Sequence, residues 1–90
     1  MAIRVENLKR KLQKEGYTNV VLIKNRPNSR TKPHFHLKEL KIMALRGSIK
    51  LTIGDRTKIY SSGGVATVPK RTTHSGIAGK RGADTLEGVR

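Results

Sequence analysis

Short apolar runs separated by turn-forming residues fill most of this chain after Gly16, and this spacing constrains the fold more than any other feature. The clearest run alternates Ile49, Leu51 and Ile53 with polar residues, a period of two that is typical of a strand with one buried face. The other runs cover residues 20–23, 40–45, 65–68 and 84–89, and turn signals occur at 46–47, 54–55, 61–64 and 79–82. We therefore predict about seven or eight short strands in a sandwich or barrel.

One segment before the strands has a different period. Val5, Leu8 and Leu12 fall at i, i+3 and i+7, which places them on one face of a helix. Lys14 and then Gly16 are residues that commonly end a helix. We predict one amphipathic helix over about residues 5–15, with its basic side chains on a solvated face.

The length of the chain limits its organisation. Ninety residues suffice for one core, so we expect one domain over residues 1–90, with the barrel at about 19–90 and a polar loop at 25–32. The absence of cysteine excludes a disulfide and a thiolate zinc site. We find no apolar run of signal-peptide or membrane-span length, and therefore expect a cytoplasmic protein without membrane contact.

The charge is strongly basic, with 20 Lys and Arg against 6 Asp and Glu and a net charge of +14. Such a chain attracts polyanions through counterion release, so weak, non-specific binding of nucleic acid is expected. The basic residues are spread along the chain, and the aromatic residues Tyr17, Phe35 and Tyr60 are too few for a base-stacking platform. Sequence-specific binding of nucleic acid is therefore not favoured.

The histidines are the candidate metal ligands, and they occur at positions 34, 36 and 74. If His34 and His36 lie in a strand, their i, i+2 spacing directs both imidazoles to one face. His74, from a second strand, would complete a set of imidazoles that holds a divalent ion and leaves coordination positions open. A polar pocket lining without an ion is the alternative.

The arrangement of these residues resembles the two-part signature of the cupin superfamily. The first part is His-x-His, an acidic residue and a glycine, at residues 34–47; the second is Gly, Pro and His, at residues 63–74. The likeness to short single-domain bacterial cupins covers nearly the whole chain. It implies an all-β, jelly-roll-like barrel (a double-stranded β-helix) with one N-terminal α-helix. It also implies a metal site formed by His34, His36 and His74, with Glu39 as a candidate fourth ligand and a site of three histidines as the alternative.

Two departures from the superfamily pattern affect this site. Leu40 stands where the metal-binding Glu usually falls, so Glu39 would need a β-bulge to reach the same face. Cupins with three histidines and no Glu include thiol dioxygenases, so this departure does not exclude a metal. Arg71 stands where a small residue is usual. If Arg71 and Lys38 line the barrel mouth, they would attract an anionic ligand; exposure to solvent away from the mouth is the alternative.

Three functions are open at this point. The first is a small-molecule site, catalytic or not, built on a divalent Fe, Ni, Zn, Mn or Cu ion, among which imidazole ligands do not discriminate. The second is a ligand-binding or sensing protein without catalysis, and the third is a basic nucleic-acid-associated protein. Cupins include dioxygenases, isomerases, epimerases and sensors, so the fold does not determine the reaction. Outward apolar residues such as Met43 and Leu45, the helix and residues 19–24 predict a homodimer, since short cupins often pair.

Overall fold

The computed structural model describes residues 4–90 as one helix followed by six strands, whose pairings are all antiparallel. This confirms the predicted all-β fold with one N-terminal helix. Residues 1–3 of the predicted domain lie outside the described part. The elements are α1 (Val5–Lys14), β1 (Thr18–Asn25), β2 (Arg30–His34), β3 (Leu40–Ile53), β4 (Arg56–Ser61), β5 (Val65–Val68) and β6 (His74–Val89).

Helix α1 begins and ends close to the predicted positions. Glu6 in its first turn and Lys14 in its last turn have the charges that the helix dipole favours. Beyond the helix, Gly16 has φ +96° and the Tyr17 N–H donates to the Leu12 carbonyl at 3.0 Å, a common way to end a helix. Across residues 4–90, no helix has both the length and the apolar character needed to span a membrane.

Strands β3 and β6 each continue through a glycine at which a turn was predicted. Gly47 has φ +70° and Gly82 has φ +78°, and the register of β3 on β6 shifts on both sides of Gly47. These glycines form irregularities that redirect the strands without ending them. The prediction of separate strands before and after each glycine was therefore wrong, and the described chain has six strands.

Together, β3 and β6 run through two four-stranded sheets. In one, β2 and β4 flank residues 74–77 of β6 and 48–53 of β3; we call this the histidine sheet. In the other, β1 and β5 flank residues 83–89 of β6 and 40–47 of β3; we call this the helix sheet. The two sheets are thus continuous through their central strands.

The inner faces of the two sheets share one core. Leu40, Ile42 and Val68 of the helix sheet belong to the same buried cluster as Ile49 and Leu51 of the histidine sheet. Because side chains from both sheets interdigitate in one cluster, the sheets pack face to face. This packing makes the interior the place where residues from distant strands meet.

Helix α1 covers the outer face of the helix sheet. Its Leu12 packs in a second buried cluster with Met43, Leu45 and Leu86. Met43 and Leu45 were predicted to face outward, and this was wrong, so these two residues no longer support the predicted dimer. They are 8% and 6% exposed because the apolar face of α1 in the same chain covers them.

Candidate metal centre

The three histidines meet at one end of the interior. His34, the last residue of β2, lies directly opposite His74, the first residue of β6, in the antiparallel ladder. His36 lies in the loop after β2, so strand alternation does not explain its position beside His34. The predicted polar loop at 25–32 contains the start of β2. This strand was missed because it has no apolar residues alternating with polar ones.

Their nitrogens are close enough to share one ion. One ring nitrogen of each histidine lies within 4.8 Å of the corresponding nitrogens of the other two. The ring centroids are 4.2 Å apart for His34 and His74, 4.9 Å for His34 and His36, and 5.3 Å for His36 and His74. Since a nitrogen binds zinc at about 2.1 Å, two nitrogens on one tetrahedral ion lie roughly 3.4 Å apart, so any pair near the 4.8 Å limit would have to draw together to hold an ion.

Two hydrogen-bonding features fit a metal at this position. The His34 Nδ1 lies 2.7 Å from the Lys32 carbonyl, so Nδ1 carries the proton and Nε2 keeps its lone pair for an ion. His74 is 5% exposed, and its Nδ1 is buried without a hydrogen-bond partner among residues 4–90. Such an orphaned atom costs about 1–3 kcal/mol, and a ligand or ion beside it would remove that cost.

The charge state of His74 also suits an ion. Burial lowers the pKa of His74, and the charges of His34 and His36 lower it further. The Thr72 backbone acts in the opposite direction and offsets part of this lowering of the pKa. With a pKa below its ordinary value of 6.5, His74 is neutral at pH 7, which is the form that coordinates a metal.

A cavity of about 260 Å³ adjoins the histidines in the interior. Ile42, Ile49 and Leu51 form apolar walls, while Asn25 and Glu87 contribute polar groups. This volume lies just below the range of about 300–1,000 Å³ that is typical of small-molecule sites, so a bound molecule would have to be small. The residues that line it include no Lys or Arg.

Glu39 lies apart from the histidine cluster. Its carboxylate accepts hydrogen bonds from the Tyr17 hydroxyl and from the Arg90 Nε, the latter at 2.9 Å. These donors lower the pKa of Glu39, the Tyr17 hydroxyl having the largest effect. Since Leu40 belongs to the core between the sheets, the preceding residue is directed to the other face, where Tyr17 packs under α1. The structure therefore does not bring Glu39 to the histidines.

Lys38 and Arg71 are both exposed, and neither lines the cavity. The Arg71 backbone N–H donates to the His36 carbonyl at 2.7 Å, which joins the loop before β6 to the loop after β2. Arg71 adopts this position with φ +61°. Its observed contact with the site is thus through its backbone, and ligand binding by the two side chains stays a prediction.

Glu87 lines the cavity and was not among the residues predicted from the sequence. Leu86 packs in the cluster under α1, so Glu87, the next residue of β6, faces the interior. Burial raises the pKa of Glu87, while a hydrogen bond from Thr85 and the charges of His36 and His34 act in the opposite direction. The alternation of apolar Leu86 with Thr85 and Glu87 was a signal for this, but it needed the knowledge that Leu86 faces a helix.

Comparisons with known proteins show where this fold occurs. No protein-family model and no curated protein sequence matches the chain. KdgF from Halomonas sp. is similar in structure, with a TM-score of 0.72 and 19% identity over 79% of this chain and 67% of that one. An RmlC-like cupin from Shewanella frigidimarina has a TM-score of 0.73 and 16% identity over 78% of this chain and 62% of that one. A variant of oxalate decarboxylase from Bacillus subtilis has a TM-score of 0.71 and 27% identity over 78% of this chain and 20% of that one.

Proposed function

The chain has the fold of the cupin superfamily, and we propose that it binds a divalent transition metal through His34, His36 and His74 and a small molecule in the adjacent cavity. The observation that carries this proposal is the orphaned, buried Nδ1 of His74 within a cluster of imidazoles whose nitrogens lie within 4.8 Å of one another. The oxalate decarboxylase of Bacillus subtilis, which has a similar fold, is described with Mn(II) centres. That description supports a metal in a barrel of this kind.

The residues of this chain would prepare the site in two ways. The Lys32 carbonyl holds the His34 ring in the tautomer that can bind an ion. The apolar walls formed by Ile42, Ile49 and Leu51 limit the water that surrounds a bound molecule. When present, Fe, Ni, Zn, Mn or Cu supplies a Lewis acid that can activate water or dioxygen or polarise a carbonyl. The proposal covers a metal-dependent enzyme and a non-catalytic sensor alike, because both use these contacts.

Metal content and metal-dependent melting test the proposal directly. The protein is purified without a histidine tag, its bound metal is measured, and its melting temperature is recorded with added Zn²⁺, Ni²⁺, Mn²⁺ and Fe²⁺. We expect at least one ion to be retained or to raise the melting temperature, because an ion that binds the folded state stabilises it. A protein that purifies without bound metal and whose melting temperature none of the four ions changes would mean that the histidines are a pocket lining.

A second proposal concerns the basic surface and its attraction for polyanions. Lys24, Arg46 and Arg81 line one surface depression, with Asp84 as the acidic residue among them, in a chain of net charge +14. If about four phosphates are contacted, affinity for duplex DNA should fall about a hundredfold between 50 and 200 mM salt. Fluorescence anisotropy with two unrelated duplexes measures this. Affinity that does not depend on salt, or strong preference for one duplex, would contradict an electrostatic cause.

We also propose that β1 pairs with a second copy of the chain. Within residues 4–90, β1 pairs with β6 alone, and its Val21 and Leu22 are 49% and 39% exposed. An exposed apolar edge strand is a template for pairing with another strand. We expect a dimer at tens of micromolar by sedimentation, converted to monomer by Val21→Lys. Val65→Lys is the control, because Val65 is 42% exposed on another strand; equal sedimentation of the two variants would exclude β1 as the interface.

A further inference from the structure

We infer that Glu87 supplies the negative charge of the metal centre from across the cavity, acting through a bound water or ligand. This inference rests on the proposed function, because it assigns the charge that a site of neutral imidazoles lacks. Glu87 lines the same cavity as His34, His36 and His74. It lies outside the cluster whose nitrogens are within 4.8 Å of one another, so a direct bond to the same ion is not the arrangement that the structure favours.

The position of Glu87 follows from the pairing of β6. Glu87 lies opposite Ile42 of β3 and Val21 of β1, in the middle of the helix sheet. Ile42 lines the cavity, and Leu40, two residues earlier on the same face of β3, occupies the position where the superfamily pattern has its acidic ligand. The carboxylate that β3 lacks is therefore presented to the same interior from the neighbouring strand.

A chain of hydrogen bonds holds this carboxylate from one side. The Asn25 Nδ2 donates to the Ala83 carbonyl at 3.0 Å and to the Thr85 Oγ1 at 3.3 Å. The Thr85 hydroxyl then donates to Glu87 Oε2 at 3.0 Å. Thr85 is fully buried, which limits the freedom of this arrangement. The hydrogen bonds in the described residues engage Oε2, which leaves Oε1 available to a group in the cavity.

The carboxylate of Glu87 forms no ion pair with a Lys or Arg among residues 4–90. Over residues 4–90 the ion pairs are Lys41 with Glu15 and Arg90 with Glu39, and neither involves Glu87. Glu87 is partly buried, and even partial burial of a carboxylate without a cation is unfavourable. A divalent ion held by neutral imidazoles likewise has its whole charge left to compensate. The metal ion would therefore stabilise the Glu87 carboxylate, and the carboxylate would compensate part of the charge of the ion. Carboxylates that act on a metal through an intervening group commonly change its affinity by 10–100-fold.

Zinc affinity in two matched variants tests the inference. Glu87→Gln and Glu39→Gln make the same chemical change and raise the net charge equally, but Glu39 bonds to Tyr17 and Arg90 away from the histidines. Competition with a chromophoric chelator gives the Kd for Zn²⁺. We expect about 10–100-fold weaker binding for Glu87→Gln and a change of less than about twofold for Glu39→Gln. Equal binding by wild type and Glu87→Gln would overturn the inference while the proposed function stands.

A second readout separates charge from folding. Without metal, Glu87→Gln should melt at or above the temperature of the wild type, because the amide oxygen still accepts the Thr85 hydrogen bond and the partly buried charge is removed. Glu87→Asp, which keeps the charge, should retain more zinc affinity than Glu87→Gln. If Glu87→Gln lowers the metal-free melting temperature and leaves zinc affinity unchanged, the role of Glu87 is structural and the inference is wrong. A wild type that binds no zinc or other added ion would instead remove the proposed function itself.

Discussion

Alanine at position 47 is expected to destabilise the protein by about 4 kcal/mol or more, a large part of the stability of a domain of this size. A Cβ on Gly47 would lie 2.0 Å from the carbonyl oxygen of Gly82 and 2.9 Å from its carbonyl carbon. The obstacle is backbone, at the point where β3 and β6 both bend, so it cannot move aside as a flexible side chain would. The left-handed φ of +70° adds strain to any residue that carries a Cβ.

Gly63→Ala is the matched control for this change. Gly63 has φ +89°, but a Cβ there would meet nothing within 4 Å, so only the backbone strain applies. That strain costs about 1–2 kcal/mol and should lower the melting temperature by roughly 5–15 °C. Thermal unfolding followed by far-ultraviolet circular dichroism compares the two variants. If Gly47→Ala melts within a few degrees of Gly63→Ala, close approach of the two strands at Gly82 is not what requires glycine.

Loss of the His74 imidazole is expected to abolish stabilisation by divalent metal. At 100 times its Kd, an ion bound to the folded wild type contributes about 2.7 kcal/mol, or roughly 10–20 °C in melting temperature. His74 is the buried member of the cluster and the one that comes from a separate strand. Without it, His34 and His36 are left on a single partly exposed segment, which should hold an ion much more weakly. Differential scanning fluorimetry of His74→Ala with Zn²⁺ and Ni²⁺ measures the loss.

Two comparisons make this result specific to the imidazole cluster. Glu39→Gln should keep the full metal-dependent shift, since its carboxylate bonds to Tyr17 and Arg90. In the wild type, the shift should disappear below about pH 6, because protonated imidazole cannot bind a metal. A full shift that persists in His74→Ala would place the bound ion elsewhere on the protein.

The sequence allowed the element types to be predicted better than their continuity. The helix and the hairpin at Gly54-Asp55 each depend on local signals, a 3.6-residue period and a turn dipeptide, and both occur as predicted. Gly47 and Gly82 carry the same local signal as turn glycines, because a left-handed φ is required in a turn and in a bulge alike. The difference depends on which strands lie alongside, and that information is not local.

The candidate site shows the same division. The spacing of the histidines predicted their convergence, although His36 reaches His34 and His74 from a loop. Glu39 was the acidic residue nearest to the expected position along the chain, whereas Glu87 is the acidic residue that lines the cavity. A carboxylate that enters a site through cross-strand pairing has no fixed distance in sequence from the histidines, so spacing could not identify it.

The continuity of β3 and β6 through both sheets has a consequence for the order in which the protein folds. β6 pairs with β1, β2 and β3, so neither sheet can close before residues 74–89 are available. Pairs such as Thr18 with Val89 join residues that are distant along the chain. Closing such long loops lowers the conformational entropy before the stabilising contacts form, which slows folding. We therefore expect slow folding, on the order of milliseconds to seconds, that begins after the ribosome has released β6. Until then β3 can pair with β4 and β5, but within the described residues β1 pairs with β6 alone and is left without a partner strand. The net charge of +14 opposes association of such nascent chains with one another by mutual repulsion.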